Sequence, residues 1–220
     1  MIMHGDGYSV VPLFSKTLYT TNCEPNDEIK RVINDFIKNS DWHKNDEHGP
    51  VTTYRTKNLY VLNEPELKLL KDMILERFNN FKNNVLQYNE NEFKLTTSWI
   101  TATHRYNYCN YHNHNHSMYT GVLYFDQLPE QGGISLMNFE RQTFDPIVSD
   151  NNLYNSKEWI INPSPWQLLF FPSEVHHKIL ENKNKKSRYT MAFNFYPIGD
   201  LGSGDSHIKI EQVGDLYGIH

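Results

Sequence analysis

The sequence predicts an α+β fold in which helices come first and a sandwich or barrel of antiparallel strands follows. Up to about residue 90, apolar residues recur at helical spacing, whereas from Leu95 onward the chain consists of short β-branched and aromatic runs. Turn-forming residues, among them Gly132-Gly133 and Asn151-Asn152, separate those runs at intervals that suit a sandwich or barrel. Helices followed by strands are typical of an α+β arrangement.

The length of the chain indicates one domain. A protein of 220 residues falls in the range where a single hydrophobic core is expected. We therefore expect one domain over residues 1–220, with a helical support layer at about 24–90, a strand core at about 95–198 and a C-terminal extension at 199–220.

Composition argues against several classes of protein. The net charge is −5 and no run of Lys or Arg is long enough to neutralise a row of phosphates, so nucleic-acid binding is not indicated. Cys23 and Cys109 are too few for a disulfide framework, which favours a reducing compartment. No apolar run approaches the length of a membrane span, and Met1 to Tyr8 lack the features of a signal peptide. We expect a soluble, cytoplasmic protein; its oligomeric state stays open, with a homodimer as one candidate.

Three elements are predicted before the longest helix. Residues Tyr8 to Tyr19 suit an opening edge strand, because Pro12 at their centre cannot donate a hydrogen bond to a neighbouring strand. Asn26 and Asp27 precede apolar residues at helical spacing and predict a capped amphipathic helix. Residues 41–58 are rich in His, Asn, Gly and Pro and predict a loop.

The longest helix is predicted to start after Asn63, which can cap it, with Pro65 in the first turn. One face of this helix is apolar and is expected to meet the core: Leu67, Leu70, Ile74, Phe78, Phe81 and Val85. The strands that follow are predicted at Leu95–Ala102, Tyr119–Phe125, Ile134–Phe139, Trp166–Phe171 and Tyr189–Tyr196. Three tryptophans of this part are expected to fill the core or its rim: Trp99, Trp159 and Trp166.

Histidines form the most distinctive local pattern. His112, His114 and His116 occupy alternate positions, so on an extended strand all three imidazoles would leave the same face. Such a row can bind a metal, and neutral imidazole suits Fe, Zn, Cu and Ni alike. By itself the pattern fits an exposed polar strand equally well. His104 shares the parity of the row and is either a residue of the pocket mouth or an exposed strand histidine.

A distant ligand and a binding site for an acid are also available. The apolar run from Leu168 ends in a turn that presents His176 and His177, which point to opposite faces of a strand, so only one of them can join a site. Arg188 follows His177 by eleven residues, and Thr190 lies on the same face of the next strand. A guanidinium beside a hydroxyl suits a carboxylate, because guanidinium binds carboxylates through two parallel hydrogen bonds.

Motifs in combination point to a family. They are His112-Asn113-His114, then Thr120-Gly121-Val122-Leu123-Tyr124, then Phe171-Pro172-Ser173 leading to His177, and finally Arg188 with Ala192-Phe193-Asn194. With them, between about Trp99 and Tyr196, the chain resembles the superfamily of 2-oxoglutarate- and Fe(II)-dependent oxygenases. More narrowly, it resembles the small oxygenases of bacteria and marine phages that carry an HxH motif. The resemblance implies a double-stranded β-helix, a jelly-roll of the cupin-like kind, flanked by N-terminal helices.

The resemblance also implies roles for single residues. His112, His114 and His177 would bind the iron, and Arg188 would bind the distal carboxylate of 2-oxoglutarate. Thr190 and Tyr124 would assist Arg188. The implied activity is that of a non-haem dioxygenase that uses O₂, is expected to be a hydroxylase, and couples oxidative decarboxylation of 2-oxoglutarate to succinate with oxidation of an unknown substrate. A phage-encoded enzyme of this kind would act in the host cytoplasm.

One ligand departs from the superfamily pattern, because His114 stands where a carboxylate is usual. With three neutral ligands, the bound 2-oxoglutarate dianion would itself neutralise the centre. The spacing to Thr120-Gly121 favours His114, which leaves His116 behind the ligands or on the substrate side. Three alternatives stay open: a His114 and His116 pair, a carboxylate from Glu174 or Asp126, or two histidines alone.

Two other functions compete with this interpretation. One is a cupin-like module that binds a metal or a small molecule without turnover, and the other is a three-histidine dioxygenase that does not use 2-oxoglutarate. Arg188 discriminates among them, since only the 2-oxoglutarate-dependent enzyme requires a guanidinium inside the fold near the metal.

Overall fold

The computed structural model describes residues 3–5, 8–45, 53–125, 127–139 and 146–211. The helices are α1 (Asp27–Asn39) and α2 (Lys68–Asn80), with a π-helical segment at Phe81–Leu86 and 3₁₀ turns at Val61–Asn63, Pro65–Leu67 and Gly204–Ser206. The strands are β1 (Met3–Gly5), β2 (Tyr8–Val10), β3 (Tyr19–Asn22), β4 (Trp42–Lys44), β5 (Tyr54–Thr56), β6 (Glu92–Thr103), β7 (Cys109–His112), β8 (Tyr119–Tyr124), β9 (Ile134–Met137), β10 (Glu158–Ile161), β11 (Gln167–Pro172), β12 (His176–Ile179), β13 (Arg188–Leu201) and β14 (Ile208–Ile210). Both α-helices precede the main strands, as the sequence predicts.

Two antiparallel sheets contain most of the strands. The larger has the strand order β3-β11-β8-β13-β6-β5-β4, with β14 added beside β13, and the smaller has the order β10-β9-β12-β7. From β6 to β13 the chain crosses between the sheets at every step except β9 to β10, so most neighbouring strands in this part are distant in sequence. β1 and β2 form a separate hairpin.

The larger sheet has an apolar side that we call the outer core, and it is where the helices pack. Alternate strand residues, among them Leu123, Phe170 and Phe193, are fully buried there against side chains of α1 and α2. Phe78 of α2 stacks on Phe195 of β13 with ring centroids 3.7 Å apart. Burial of large aromatic rings contributes much of the apolar stabilisation in such a layer.

The residues between those positions point the other way and form a second cluster, which we call the inner core. It contains Val122, Tyr124, Ile134, Leu136, Leu169, Phe171 and Ala192. Because side chains of a strand alternate between its two faces, the outer and inner cores come from the same strands of the larger sheet. Ile134 and Leu136 are contributed by β9 of the smaller sheet, so the inner core lies between the two sheets.

Both helices are explained by local sequence. The Asn26 side chain accepts a hydrogen bond from the Ile29 N–H at 2.9 Å, which is the predicted cap of α1. The second helix is entered through the predicted Pro65, but Asn63 does not cap it; the Asn63 side chain instead accepts a hydrogen bond from Lys71 at 2.6 Å. The prediction for Val85 is also wrong, since this side chain is 48% exposed. The π-helical turns shift the helical phase, so that Val85 points outward while Leu86 packs against the core.

Three segments differ from their predictions. The expected edge strand at 8–19 is interrupted after Val10, and only Tyr19–Asn22 pairs with the larger sheet, beside β11. The predicted loop at 41–58 contains β4 and β5, which pair with each other, and β5 also pairs with β6. Strand β13 continues to Leu201 and pairs with β14, so the described part of the tail is attached to the sheet. In each case, pairing with a partner strand decides where a strand forms.

Among the residues that the structure describes, no helix has both the length and the apolar character needed to cross a membrane.

Candidate functional site

Adjacent strands of the smaller sheet bring two of the histidines together. His112 is the last residue of β7 and lies directly opposite His177 of β12 in the strand register. Directly opposed residues of an antiparallel pair project from the same face, and here the ring centroids are 4.4 Å apart. His177 is 3% exposed, whereas His112 is half-buried.

The third histidine reaches the site from beyond the end of the strand. β7 stops at His112, and the His114 N–H then donates to the Ser173 carbonyl at 3.1 Å. The His114 ring lies 5.4 Å from that of His112 and 5.0 Å from that of His177, measured between centroids. One ligand atom from each of the three imidazoles lies within 4.8 Å of the others. The predicted set His112, His114 and His177 is therefore brought together.

Each imidazole has an acceptor at its Nδ1 atom. The His112 Nδ1 lies 2.9 Å from the Asn110 carbonyl oxygen, and the His177 Nδ1 lies 3.0 Å from the Val175 carbonyl oxygen. For His114 the acceptor is the Asn194 side-chain oxygen at 2.8 Å. An Nδ1–H that donates to an oxygen leaves the lone pair on Nε2, which is the form that coordinates a metal.

Burial keeps His177 neutral. Desolvation holds the pKa of His177 well below its ordinary value of 6.5, and the neighbouring His112 and His114 lower it further. A neutral imidazole is the protonation state that binds a cation. The His177 imidazole is therefore in the form that binds a metal near neutral pH.

Arg188 is a buried cation at the start of β13. By strand parity it lies on the side of the larger sheet that contributes to the inner core. It is 2% exposed, and its guanidinium donates to the backbone carbonyls of Gln131 at 2.5 Å and Leu180 at 3.3 Å, while its Nε has no hydrogen-bond partner. Carbonyl groups are neutral, so these contacts, the ones seen within the described ranges, do not offset the charge. A buried charge is costly unless an anion pairs with it, and an unsatisfied buried donor adds to that cost. A guanidinium in these surroundings can pair with an anion.

Tyr124 and Thr190 lie beside this cation. They are directly opposed in the register of β8 and β13 and are 2% and 5% exposed. Burial raises the pKa of Tyr124 to about 12, although the Arg188 charge opposes the rise, so the phenol stays protonated and can donate. Burial also lowers the pKa of Arg188.

Strand parity connects the cation to the histidines. Arg188, Thr190 and Asn194 occupy alternate positions of β13, so their side chains leave one face of the strand. Asn194 contacts His114 at one end of this row, and Arg188 stands at the other. The imidazoles and the guanidinium therefore face the same space between the sheets.

Burial decreases across the smaller sheet toward its edge strand β10. Across the smaller sheet, Leu136 lies opposite His177, and Trp159 of the edge strand β10 lies opposite Leu136. Two residues deeper on the same face, Ile134 lies opposite Ile161. Exposure increases outward from 2% at Ile134 to 45% at Trp159, so Trp159 forms the rim that the sequence suggested.

Other candidate residues are not part of the cluster. His116 is exposed in a turn with a φ of 58°, which directs it away from the row predicted on an extended strand. His104 is exposed and bonds Ser187 at 2.7 Å. His176 faces the opposite side of β12 and packs against Phe139. Glu174 is exposed and pairs with Lys16 at 3.5 Å, and Asp126 lies outside the described residues.

Sequence reasoning missed the side chains behind His114. Asn194 and Thr120 both lie within hydrogen-bond distance of the His114 Nδ1. The signal available in the sequence was parity, since Asn194 lies on the same strand face as Arg188 and Thr190. That parity could not tell which histidine Asn194 would meet.

The described residues fit a metal and an organic acid. Three neutral nitrogen donors on one side of a cation leave its other positions open for further ligands. A buried guanidinium with a phenol and a hydroxyl beside it can bind a carboxylate. The site therefore suits an organic acid that binds the metal with one end and pairs its other end with the guanidinium.

A family of known proteins matches the part of the chain that contains this site. Residues 97–194 match the model of a 2OG-Fe(II) oxygenase family. A search of curated proteins finds no relative by sequence.

Solved structures show a similar fold. HygX from Streptomyces hygroscopicus, solved with nickel, 2-oxoglutarate and hygromycin B bound, is 13% identical, has a TM-score of 0.57, and the similarity covers 82% of each chain. A prolyl-4-hydroxylase from Pseudomonas putida is 14% identical with a TM-score of 0.57, over 82% of this chain and 92% of that one. The viral collagen prolyl hydroxylase of Paramecium bursaria Chlorella virus-1 is 14% identical with a TM-score of 0.52, over 81% and 94%. These similarities confirm the expected double-stranded β-helix, formed here by two sheets that do not close into a barrel.

Proposed function

We propose, from the match of residues 97–194 to a 2OG-Fe(II) oxygenase family, that the chain is a non-haem dioxygenase that oxidises a second substrate at the three-histidine site. The reaction couples oxidative decarboxylation of 2-oxoglutarate to succinate with that oxidation, and hydroxylation is the proposed outcome. HygX, solved with nickel and 2-oxoglutarate, and the prolyl hydroxylases have the same fold, which supports the proposal.

One observation carries it: a buried guanidinium, which pairs with no carboxylate of the described residues, faces the same space as three imidazoles. Metal binding alone accounts for the imidazoles but not for Arg188. A cosubstrate with a carboxylate at each end accounts for both, because one end can bind the metal while the other pairs with Arg188. The donor set also fits iron, since imidazole nitrogen is a common ligand of Fe(II).

The residues have distinct proposed roles. His112, His114 and His177 hold the iron through Nε2, and Arg188 pairs with the far carboxylate of 2-oxoglutarate. When bound, Fe(II) and 2-oxoglutarate supply the oxidising chemistry by converting O₂ and the cosubstrate into succinate, CO₂ and an oxidant for the substrate.

The remaining side chains hold and shield the cosubstrate. Tyr124 and Thr190 can donate hydrogen bonds to the carboxylate that Arg188 binds. Leu169 and Phe171 of the inner core are buried, at 0% and 1% exposure, and exclude water from the space between the sheets. Because all three imidazoles are neutral, the negative charge that offsets the iron is supplied by 2-oxoglutarate itself.

The two competing functions are less well supported. A binding module without turnover, or a three-histidine dioxygenase that does not use 2-oxoglutarate, gives Arg188 no anion to compensate. The burial of this guanidinium favours the enzyme that uses 2-oxoglutarate. Two free, buried cysteines support our further proposal of a reducing cytoplasmic location.

An anaerobic titration tests the function. Fe(II) and 2-oxoglutarate are added to the full chain, and the visible charge-transfer band of the chelate is followed, together with succinate formation once O₂ is admitted. We expect the band and uncoupled succinate formation. Absence of both from protein that binds Fe(II) would favour a competing function.

A variant pair tests the role of Arg188. Arg188→Met removes the buried charge at the proposed cosubstrate site. The control Lys186→Met removes a charge that lies two residues earlier in the chain, at an exposed position. The loss of a charge-assisted pair is expected to weaken 2-oxoglutarate binding about 10–100-fold in the first variant. Equal affinity in the two variants would remove Arg188 from the cosubstrate site.

A further inference from the structure

We propose that Asn194 is a positioning residue: its side-chain oxygen fixes His114 in the tautomer that carries a proton on Nδ1, so that Nε2 is available to the metal. The inference rests on the proposed function in taking the three imidazoles as ligands. It adds a residue that acts through His114 without touching the metal.

The Asn194 amide has a defined orientation. Its Oδ1 lies 2.8 Å from the His114 Nδ1, and its Nδ2 donates to the Thr97 Oγ1 at 2.9 Å. The amide nitrogen has no lone pair to accept with, so turning the amide would replace the acceptor facing His114 by a donor. With the oxygen toward the imidazole, the amide nitrogen has the Thr97 hydroxyl as its acceptor.

A bulge in the larger sheet creates this arrangement. Between β13 and β6, Phe193 lies opposite Ser98 while Phe195 lies opposite Leu95, so Thr96 and Thr97 together face Asn194. The Thr96 hydroxyl donates to the Asn194 backbone carbonyl at 3.3 Å, and the Thr97 hydroxyl accepts from the side chain. Bulges often re-aim a side chain beside a functional site. Two neighbouring threonines thus anchor both the backbone and the side chain of Asn194.

A third hydroxyl, that of Thr120 on β8, contacts the Asn194 side-chain oxygen. The Thr120 Oγ1 donates to the Asn194 Oδ1 at 2.9 Å, and it also lies 3.1 Å from the His114 Nδ1. Thr120 is fully buried and bonds Ser173 at 2.8 Å. The Asn194 oxygen therefore accepts from two directions, which leaves it little freedom to move.

His114 has more need of such a partner than the other two histidines. The Nδ1 acceptors of His112 and His177 are backbone carbonyls two residues earlier in the chain, at Asn110 and Val175. His114 lies after the end of β7, and its acceptor is a side chain eighty residues later in the chain. Without an acceptor at Nδ1, the proton can move to Nε2 and occupy the lone pair that coordinates the metal.

Three variants and one control test the proposal. Asn194→Leu removes the acceptor, Asn194→Asp keeps an oxygen at that position, and Thr97→Val removes the group that orients the amide. Asn58→Leu is the matched control, since Asn58 is also a half-buried Asn whose Oδ1 accepts a hydrogen bond, here from the Tyr60 N–H, and whose Nδ2 donates one, here to Glu64. Thr97→Val keeps the test decisive if Asn194→Leu fails to fold.

Two measurements are made on each variant. The tautomer of His114 is read from long-range ¹H–¹⁵N correlation spectra of the metal-free, ¹⁵N-labelled full chain, with His114→Ala used to assign the signal. Affinity for Co(II), used as the metal probe, is measured by chelator competition. A merely structural role for Asn194 would not change the tautomer.

We expect the wild type, Asn194→Asp and Asn58→Leu to hold the His114 proton on Nδ1. Asn194→Leu is expected to shift the population toward the Nε2–H form and to weaken Co(II) binding about 10–100-fold, with a smaller effect for Thr97→Val. An unchanged tautomer in Asn194→Leu, or wild-type Co(II) affinity in that variant, would overturn the proposal. If the wild type itself fails to bind Co(II), the proposed function falls, while the tautomer measurement still decides the role of Asn194.

Discussion

The outer and inner cores are made from alternate residues of the same strands, yet their composition differs sharply. On β13, Met191, Phe193 and Phe195 face the helices and are fully buried among apolar side chains. The residues between them that face the smaller sheet include Ala192 and Asn194, and Asn194 bonds His114. One strand therefore contributes an apolar layer on one side and part of a polar site on the other.

The difference separates stability from chemistry. The outer core consists mostly of apolar side chains and buries large aromatic rings in direct contact, which favours the folded state. The inner side contains a buried guanidinium and a buried neutral histidine, and both groups oppose folding unless a ligand compensates them. We therefore expect substitutions on the outer side to lower stability, and substitutions on the inner side to remove binding and activity.

The largest expected effect is on activity. His177→Ala removes a buried ligand, and we expect it to abolish uncoupled decarboxylation of 2-oxoglutarate, measured as succinate formation. Circular dichroism should show that the fold is retained. Full residual turnover in this variant would contradict the ligand assignment and would place the chemistry elsewhere.

The largest expected effect on stability is on the outer side. Phe78→Ala deletes a ring that is 1% exposed and stacked on Phe195, and it should lower the free energy of unfolding by about 3–5 kcal/mol in urea titrations. Molecules that remain folded should bind Co(II) with wild-type affinity. A weakened metal site in the folded fraction would show that the two cores are not separable.

A smaller loss is expected at Gly121, which lies on the outer side of β8. A Cβ atom at this position would overlap the Phe193 ring and would approach Phe170 to 2.9 Å. Gly121→Ala should therefore cost about 1–3 kcal/mol by overpacking, measured by urea unfolding. Leu123→Met, an apolar exchange two residues later on the same face, is a matched control that should cost less than about 1.5 kcal/mol.

The smallest expected effect is a pH dependence on the inner side. The pKa of folded His177 lies well below its unfolded value of 6.5. Below pH 6.5 the unfolded chain therefore binds a proton that the metal-free folded chain does not, and stability must fall as the pH falls. The slope from this group approaches about 1.4 kcal/mol per pH unit until the folded pKa is reached.

Comparison with His177→Ala isolates that contribution. The difference in unfolding free energy between the metal-free wild type and the variant should change with pH below 6.5 and become constant above about pH 7.5. A difference that is independent of pH throughout this range would show that His177 titrates normally in the folded protein.

Periodicity predicted the parts of the fold that depend on local sequence. Alternate side chains of β8, β11 and β13 point to the two opposite faces of the larger sheet. The apolar stripe from Leu67 to Phe81 predicts the helix that covers one of these faces. The prediction failed at Val85, where π-helical turns change the phase, and at residues 41–58, where short strands form by pairing with each other and with β6. Residue type alone does not show whether a partner strand is available.

By itself, the sequence determined which residue types were available for the site: imidazoles at alternate positions, a distal His177 and Arg188 on a later strand. Only the tertiary structure decided that His114 faces His177 while His116 turns away, because β7 ends where its pairing with β12 ends. The tertiary structure also brought Asn194 to His114, across eighty residues of chain. The physical reason is that local pattern sets the direction of a side chain within its own strand, whereas the register between distant strands sets which side chains meet.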